Sequence, residues 1–414
     1  MKYRVWYSTE SFADYIIAKT DLVGKTIVKK KMYESDANNP TNFHTLPDHI
    51  KKILYLDAPD LIVELDSEPI FSIEVSTEAG TGHNAFQRFA RLAASVENDV
   101  PAFYIYPEAV LVTRESVQSG SNTKWDKINP QIFKALDDVM TIYKIPALLY
   151  YFPSTFRTDP AGHNTATLKK GLKHDANHRQ YPGCPDSTDS EMLLMFEAIN
   201  ETISVVEQLG VMDGRNKLLA KRVLSSRKSF MQSEFSAKNS GAQMSPLTAT
   251  IKIPTKYLLN FLARHETPTY RVGELLKSRN ETIIYKVDAA FRSDPYPGAL
   301  AAVDYLLCRE GKTFEERKYN LVMCWGKLTV DSENETLEVV SSKVSIKDFV
   351  RDVRSSETKN ILGKEYDDIG SHNISRYYMQ VRYGSMFSKV KHIRVMAYFA
   401  DAILFPDGDL WRDA

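Results

Sequence analysis

The chain has 414 residues, 43% hydrophobic and 26% charged, and its 53 basic residues cancel its 53 acidic ones. Single cores rarely grow past roughly 250–300 residues, so more than one domain is expected, and zero net charge excludes a general polycation while leaving room for local basic surfaces. Three scattered cysteines (Cys184, Cys308, Cys324) with no CxxC spacing exclude a disulfide framework and a zinc finger.

The opening "MKYRVWYSTESFADY" puts charged and polar groups where a signal peptide needs an apolar core. No apolar stretch approaches the ~20 residues of a membrane span. A soluble, cytoplasmic protein with no membrane partner is expected. Residues 1–155 alternate strand and helix patterns. "DLIVEL" (60–65) reads as a short, nearly continuous apolar strand. "PIFSIEVS" (69–76) alternates, with Phe71, Ile73 and Val75 facing one way and Ser72, Glu74 and Ser76 the other. "TEAGTGHN" is a small-residue turn that ends on Asn84, a helix N-cap candidate. "AFQRFARLAASVEN" then places Phe86, Phe89, Ala90, Ala93 and Val96 at helical spacing. "VPAFYIYP" (100–107) predicts a strand, "PQIFKALDDVMTIYK" (130–144) a helix and "IPALLYYF" (145–152) a further strand. This order predicts an α/β fold, a mixed sheet flanked by helices.

Residues 156–190 are polar and irregular and predict a linker or surface loop. Residues 191–414 predict a second, α+β domain. It opens with helices over 189–209, capped by Asp189, and 214–232; strands follow within "ETIIYKVDAAF" and "RKYNLVMCW".

If 60–65 and 69–76 pair as a hairpin, Asp60 stands at the end of one strand and Glu74 on the polar face of the other. Two carboxylates so placed can share a hard divalent cation such as Mg²⁺, which prefers a few carboxylates with water and substrate phosphate. Such an ion polarises a scissile phosphate and lowers the pKa of attacking water. The bland alternative makes Asp60 a strand cap and Glu74 a structural acid. Glu64, Asp66 and Glu68 are expected to be solvated on the hairpin, and His83 to make a backbone hydrogen bond in its turn.

The run Pro59-Asp60…Glu74-Val75-Ser76, followed by a helix and a return strand, resembles the PD-(D/E)xK nuclease superfamily, best known in type II restriction endonucleases. The resemblance covers residues 45–110 well and 1–155 loosely. It implies a restriction-endonuclease-like core, Mg²⁺ as cofactor, and Asp60 and Glu74 as metal-binding acids with the Val75 carbonyl as a third oxygen. The family's lysine falls on Ser76, a departure. Gln87 and Arg88 on the following helix, or Lys51 or Lys52 upstream, could supply the missing donor. The implied activity is sequence-specific hydrolysis of double-stranded DNA by a homodimer. The alternative is a DNA-binding or interaction protein whose nuclease site has decayed, and Ser76 favours it.

Two further regions bear on DNA. The helix over 214–232 carries Lys217, Lys221 and Arg222; it is either a solvated amphipathic helix or a phosphate-contacting one. Around "SDPYPGALAAVDYLLCREG", Arg292 and Arg309 lie near Asp288, Asp294 and Asp304. They either pair with those acids to hold a turn or read bases, as arginine reads guanine.

Overall fold

The computed structural model describes residues 1–32, 40–76, 84–107, 110–116, 120–126, 131–152, 180–218, 249–287, 295–341 and 370–412. Two units separate along the chain, Met1–Ala37 with Thr41–Ser245, and Asn38–Pro40 with Pro246–Ala414.

The strands of unit 1 are β1 (Tyr3–Tyr7), β2 (Ile27–Lys31), β3 (Leu61–Leu65), β4 (Glu68–Val75), β5 (Ala102–Pro107), β6 (Val110–Ser116), β7 (Gly120–Asp126) and β8 (Ala147–Phe152). Its helices are α1 (Glu10–Lys19), α2 (Pro40–Thr45), α3 (Asp48–Leu54), α4 (Asn84–Glu97), α5 (Gln131–Tyr143), α6 (Ser190–Leu209) and α7 (Val211–Leu218). Six strands form one sheet in the order β2-β1-β3-β4-β5-β8, while β6 and β7 pair as a separate hairpin. The centre is an antiparallel meander: β3 pairs with β1 on one side and with β4 on the other. From β4 the chain crosses through α4 to β5, which runs parallel to β4, and through α5 to β8, parallel to β5. The fold is α/β, with mixed sheets flanked by helices.

The β3–β4 hairpin turns on Asp66 and Ser67, both at positive φ (51° and 71°). Turns of that hand match the twist of paired strands. Asp66 is locked there by Lys2, whose carbonyl accepts the Asp66 N–H at 2.9 Å and whose N–H donates to Asp66 Oδ1 at 2.7 Å. Because β3 lies between two partners, all five of its residues are buried, Glu64 included. Glu64 is therefore not solvated, as the sequence suggested; it accepts from Arg4 Nη1 at 2.9 Å and pairs with His49.

The predicted polar face of β4 is also buried. Ser72, Glu74 and Ser76 are each at most 5% exposed. Helix α4 packs on β4 and brings its own polar groups to that face: Ser95 Oγ lies 2.7 Å from Ser72 Oγ, and Arg91 reaches Glu74. Meanwhile Phe86, Phe89, Ala90, Ala93 and Val96 of α4 are buried in the apolar core.

The boundary predicted at residue 190 moves to 245/246, since α6 and α7 belong to unit 1. Asp189 does cap α6, accepting the Glu191 N–H at 3.0 Å. The apolar stripe Met192, Met195, Phe196, Ile199, Ile203 and Val206 is buried, and the helix packs on β8 and β4. Its polar side is tied to the first strand as well: Tyr3 donates to Glu207 at 2.6 Å. A helix so buried cannot open a separate domain. Most of the predicted linker, residues 156–179, lies outside the described residues.

Unit 2 contains β9 (Thr250–Pro254), α8 (Thr255–Arg264), α9 (Glu274–Ser278), β10 (Glu281–Lys286), α10 (Pro295–Val303), β11 (Asn320–Cys324), β12 (Lys327–Asp331), β13 (Thr336–Val340), α11 (Ser371–Arg382), α12 (Lys391–Phe399), β14 (Ala402–Leu404) and β15 (Leu410–Arg412). Five strands form a mixed sheet in the order β15-β14-β11-β10-β9, and β12 pairs with β13. Leu258, Phe261, Ile284, Val322, Leu337 and Leu404 centre its core. Among the described residues, no helix is long and apolar enough to cross a membrane.

Candidate functional site

Asp60 immediately precedes β3, and neighbouring strands hold its carboxylate. Oδ2 accepts the Val75 N–H at 2.8 Å and Oδ1 accepts the Ser8 hydroxyl at 3.0 Å, while the Asp60 carbonyl accepts the Ser8 N–H at 2.9 Å. The acid at the start of one hairpin strand is thus fixed to the backbone of the residue next to Glu74. The hairpin register makes this possible: Leu61 faces Ile73, so Asp60 falls opposite the end of β4.

Glu74 is 1% exposed. Arg91 Nη1 donates to both of its oxygens at 2.8 Å, and Arg88 Nε lies 3.0 Å from Oε1. Arg91 Nε continues to Asp57 Oδ2 at 2.8 Å, and Asp57 Oδ1 accepts the Ala58 N–H at 2.9 Å. A chain of charges, Asp57–Arg91–Glu74–Arg88, therefore runs under α4 with Asp60 at its edge. Burial pushes the Glu74 carboxyl up to about 8; Arg91 and Arg88 pull it back, and the Asp60 charge adds to the rise. The upward direction shows that the arginines do not fully offset the desolvation of this acid. Functional sites and structural ion-pair networks both shift a buried acid in this way.

The site's composition can be tested for a divalent cation. Three carboxylates (Asp57, Asp60, Glu74) stand against two guanidiniums (Arg88, Arg91), so the cluster balances while Glu74 keeps its proton and gains one negative charge when that proton leaves. An ionised carboxylate offers about four lone-pair directions. Protein donors make two contacts to the oxygens of Asp60 and three to those of Glu74, so Asp60 keeps room for two more ligands and Glu74 for one. Among the described residues no group of three or more His, Cys, Asp or Glu side chains could enclose a metal. An ion here would rest on Asp60 and Glu74 and complete its shell with water and phosphate, as Mg²⁺ commonly does. The residues fit such an ion.

The structure brings Asp60, Glu74 and Arg88 together. Val75 contributes its N–H to Asp60, an anchoring role. Ser76 does not act in place of a lysine: it is buried, and its hydroxyl lies 3.0 Å from Tyr104 OH. Lys51 pairs with Asp48 at 2.6 Å, and Lys52 is exposed. The side chain of Gln87, and His83, Lys221, Arg222, Asp288, Arg292 and Asp294, lie outside the described residues. Lys217 is exposed at the end of α7.

Arg309 is not a base reader. It is 5% exposed, and Asp304 takes its Nε at 2.8 Å and its Nη2 at 2.7 Å. Helix α10 runs on into one wide turn, where the Arg309 N–H reaches the Asp304 carbonyl at 2.7 Å; this turns the arginine inward. Asp304 also accepts from Arg317 Nε at 2.8 Å, and Arg317 continues to Asp401. Of the pairings expected in this region, the one between Arg309 and Asp304 is observed, while the stretch 295–298, expected as a turn, opens α10.

Sequence reasoning missed Asp57 and Arg91. The signal was present: Arg91 lies three residues after Arg88 and directly after the buried Ala90, on a helix whose buried positions are otherwise apolar apart from Ser95. An arginine there needs a buried acid.

No family model, no curated protein and no solved structure matches this chain.

Proposed function

We propose that unit 1 is a divalent-metal-dependent nuclease that hydrolyses phosphodiester bonds of double-stranded DNA at a specific sequence, in the manner of type II restriction endonucleases. One observation carries the reading: the Val75 N–H holds Asp60 beside Glu74, so two acids on paired strands meet in one cluster. The antiparallel meander, the crossover through α4 and the parallel β5 supply the chain order that the resemblance requires.

Asp60 and Glu74 would hold Mg²⁺, which supplies Lewis-acid activation of the phosphate and of water. The protein's own part is positioning. Ser8 and the Val75 amide fix Asp60, and Arg91, anchored by Asp57, fixes Glu74. Arg88 is 25% exposed at its side chain, so its guanidinium can meet a phosphate while touching Glu74. A preorganised cation at that point stabilises charge developing on the phosphoryl oxygens, the task of the family lysine. Cutting two antiparallel strands calls for a two-fold homodimer, and the compartment we assign is the cytoplasm.

A second reading has its own observation. Arg91 contacts both Glu74 oxygens and Tyr104 engages Ser76, the contacts expected of a closed structural ion pair in a DNA-binding protein that does not cut. Incubating plasmid DNA with wild type, Asp60→Ala and Glu74→Ala, with and without Mg²⁺, separates them. Cleavage by wild type alone, and only with the ion, supports the nuclease; retention of plasmid without cutting in Mg²⁺ or Mn²⁺ supports the second reading.

A further inference from the structure

Unit 2 holds a groove with a cavity of about 500 Å³, within the 300–1,000 Å³ range of small-molecule sites. One wall is α11, where His372, Arg376, Met379 and Tyr383, at the helix end, recur every three or four residues along one face. The other wall is the turn at Thr269–Arg271, and β15 closes the groove with the buried Trp411. Two tyrosines stand open to solvent there: Tyr270 is 75% exposed and Tyr383 55% exposed.

Arg271, Arg376 and Arg412 line the groove together with a single acid, Asp409. Asp409 is already committed, paired with Arg271 and accepting from Ser375 Oγ at 3.0 Å. Arg271 also bonds His372 Nδ1 at 3.0 Å, and Arg412 Nη2 donates to the Tyr270 carbonyl at 2.8 Å. These bonds fix the rim and present Tyr270. Arg376, exposed on α11, makes no hydrogen bond or ion pair to another described residue.

We propose that this groove binds a single nucleotide, its base against the tyrosine faces and its phosphate on Arg376. Exposed aromatic rings beside the exposed Arg376 guanidinium match that ligand on both counts: bases stack on tyrosine whatever their sequence, and guanidinium binds phosphate through paired donors. The nucleotide is either free or turned out of a DNA strand; the link to DNA rests on the proposed nuclease reading, whereas the ligand class does not.

The test is calorimetric titration of the full chain carrying Asp60→Ala, with dAMP, deoxyadenosine or inorganic phosphate in the syringe. The same titrations are run with Arg376→Ala or Tyr383→Ala added. The proposal expects dAMP to bind at least tenfold tighter than deoxyadenosine or phosphate. Each added variant should weaken dAMP at least tenfold with an unchanged thermal midpoint, since both side chains are exposed. Phosphate binding as tightly as dAMP, or variants indistinguishable from their parent, overturns it. A duplex carrying 2-aminopurine identifies the source: a fluorescence rise that Tyr383→Ala abolishes assigns the nucleotide to a DNA strand, and unchanged fluorescence with dAMP still bound assigns it to the free form. Neither readout involves cutting, so failure of this site and failure of the nuclease reading are separate results.

Discussion

Arg91 Nη1 sits 2.8 Å from both carboxylate oxygens of Glu74, while Nε of the same guanidinium holds Asp57 at 2.8 Å. One side chain on α4 thus ties the acid of the central hairpin to the segment that precedes it. Removing it takes a guanidinium away from two buried acids. Breaking a buried pair in this way costs about 3–5 kcal/mol. Arg91→Ala is expected to lower the urea-unfolding free energy of unit 1 by that amount, and Arg91→Lys to recover only part of it, because one ammonium cannot span both acids.

Arg88 should separate stability from activity. It also touches Glu74 but keeps a quarter of its side chain exposed, so its ion pair is worth about 1 kcal/mol or less. Arg88→Ala is expected to unfold near the wild-type denaturant midpoint yet lose roughly 100-fold in cleavage rate, the size of effect seen when one preorganised donor is removed. Plasmid cleavage and urea titration on one preparation check both halves.

The pH dependence of stability has a definite sign. Burial raises Glu74 from its ordinary 4.5 to about 8, so between those limits the folded chain keeps a proton that the unfolded chain has released. Stability then falls as pH rises through this window. Glu74→Gln should flatten that slope, as urea midpoints at pH 5 and pH 8 would show. The same proton must leave when a cation binds. Titrating Mg²⁺ near pH 7 in two buffers of different ionisation enthalpy should register proton release in wild type and none in Glu74→Gln.

In unit 2, Asp304 is fully buried and accepts from Arg309 and Arg317 together. Asp304→Asn leaves both guanidiniums short of a counter-charge. Unfolding followed by the fluorescence of Trp325 and Trp411, both in unit 2, should show a loss of about 3–5 kcal/mol, with plasmid cleavage unchanged under conditions where unit 2 stays folded.

Much of unit 1 was legible because its elements announce themselves by period. "DLIVEL" and "PIFSIEVS" became β3 and β4, and the apolar spacing of Phe86, Phe89, Ala93 and Val96 became α4. Asp60 and Glu74 were readable as neighbours because they lie on the two strands of one tight hairpin, although a register shift at Val63/Glu64, which the sequence does not announce, sets them opposite each other. The environment of Glu74 was not readable. Alternation assigns Ser72, Glu74 and Ser76 to one face of β4 but cannot say whether that face meets water or a helix. A helix covers it, and the acid's partner, Arg91, lies seventeen residues away on that helix. Glu64 failed for a related reason: β1, from the start of the chain, closes over β3 and makes a hairpin edge into a central strand. The domain boundary failed because a polar run in the sequence need not end a domain: the apolar stripe of α6 packs on the same sheet.

The most direct measurement is anomalous diffraction from crystals of the full chain grown with Mn²⁺. The account predicts one peak between the Asp60 and Glu74 carboxylates, within about 2.0–2.3 Å of an oxygen from each, the distance of a hard divalent ion to oxygen. Density that shows Glu74 still held by Arg91, with no peak between the two acids at saturating Mn²⁺, would contradict it.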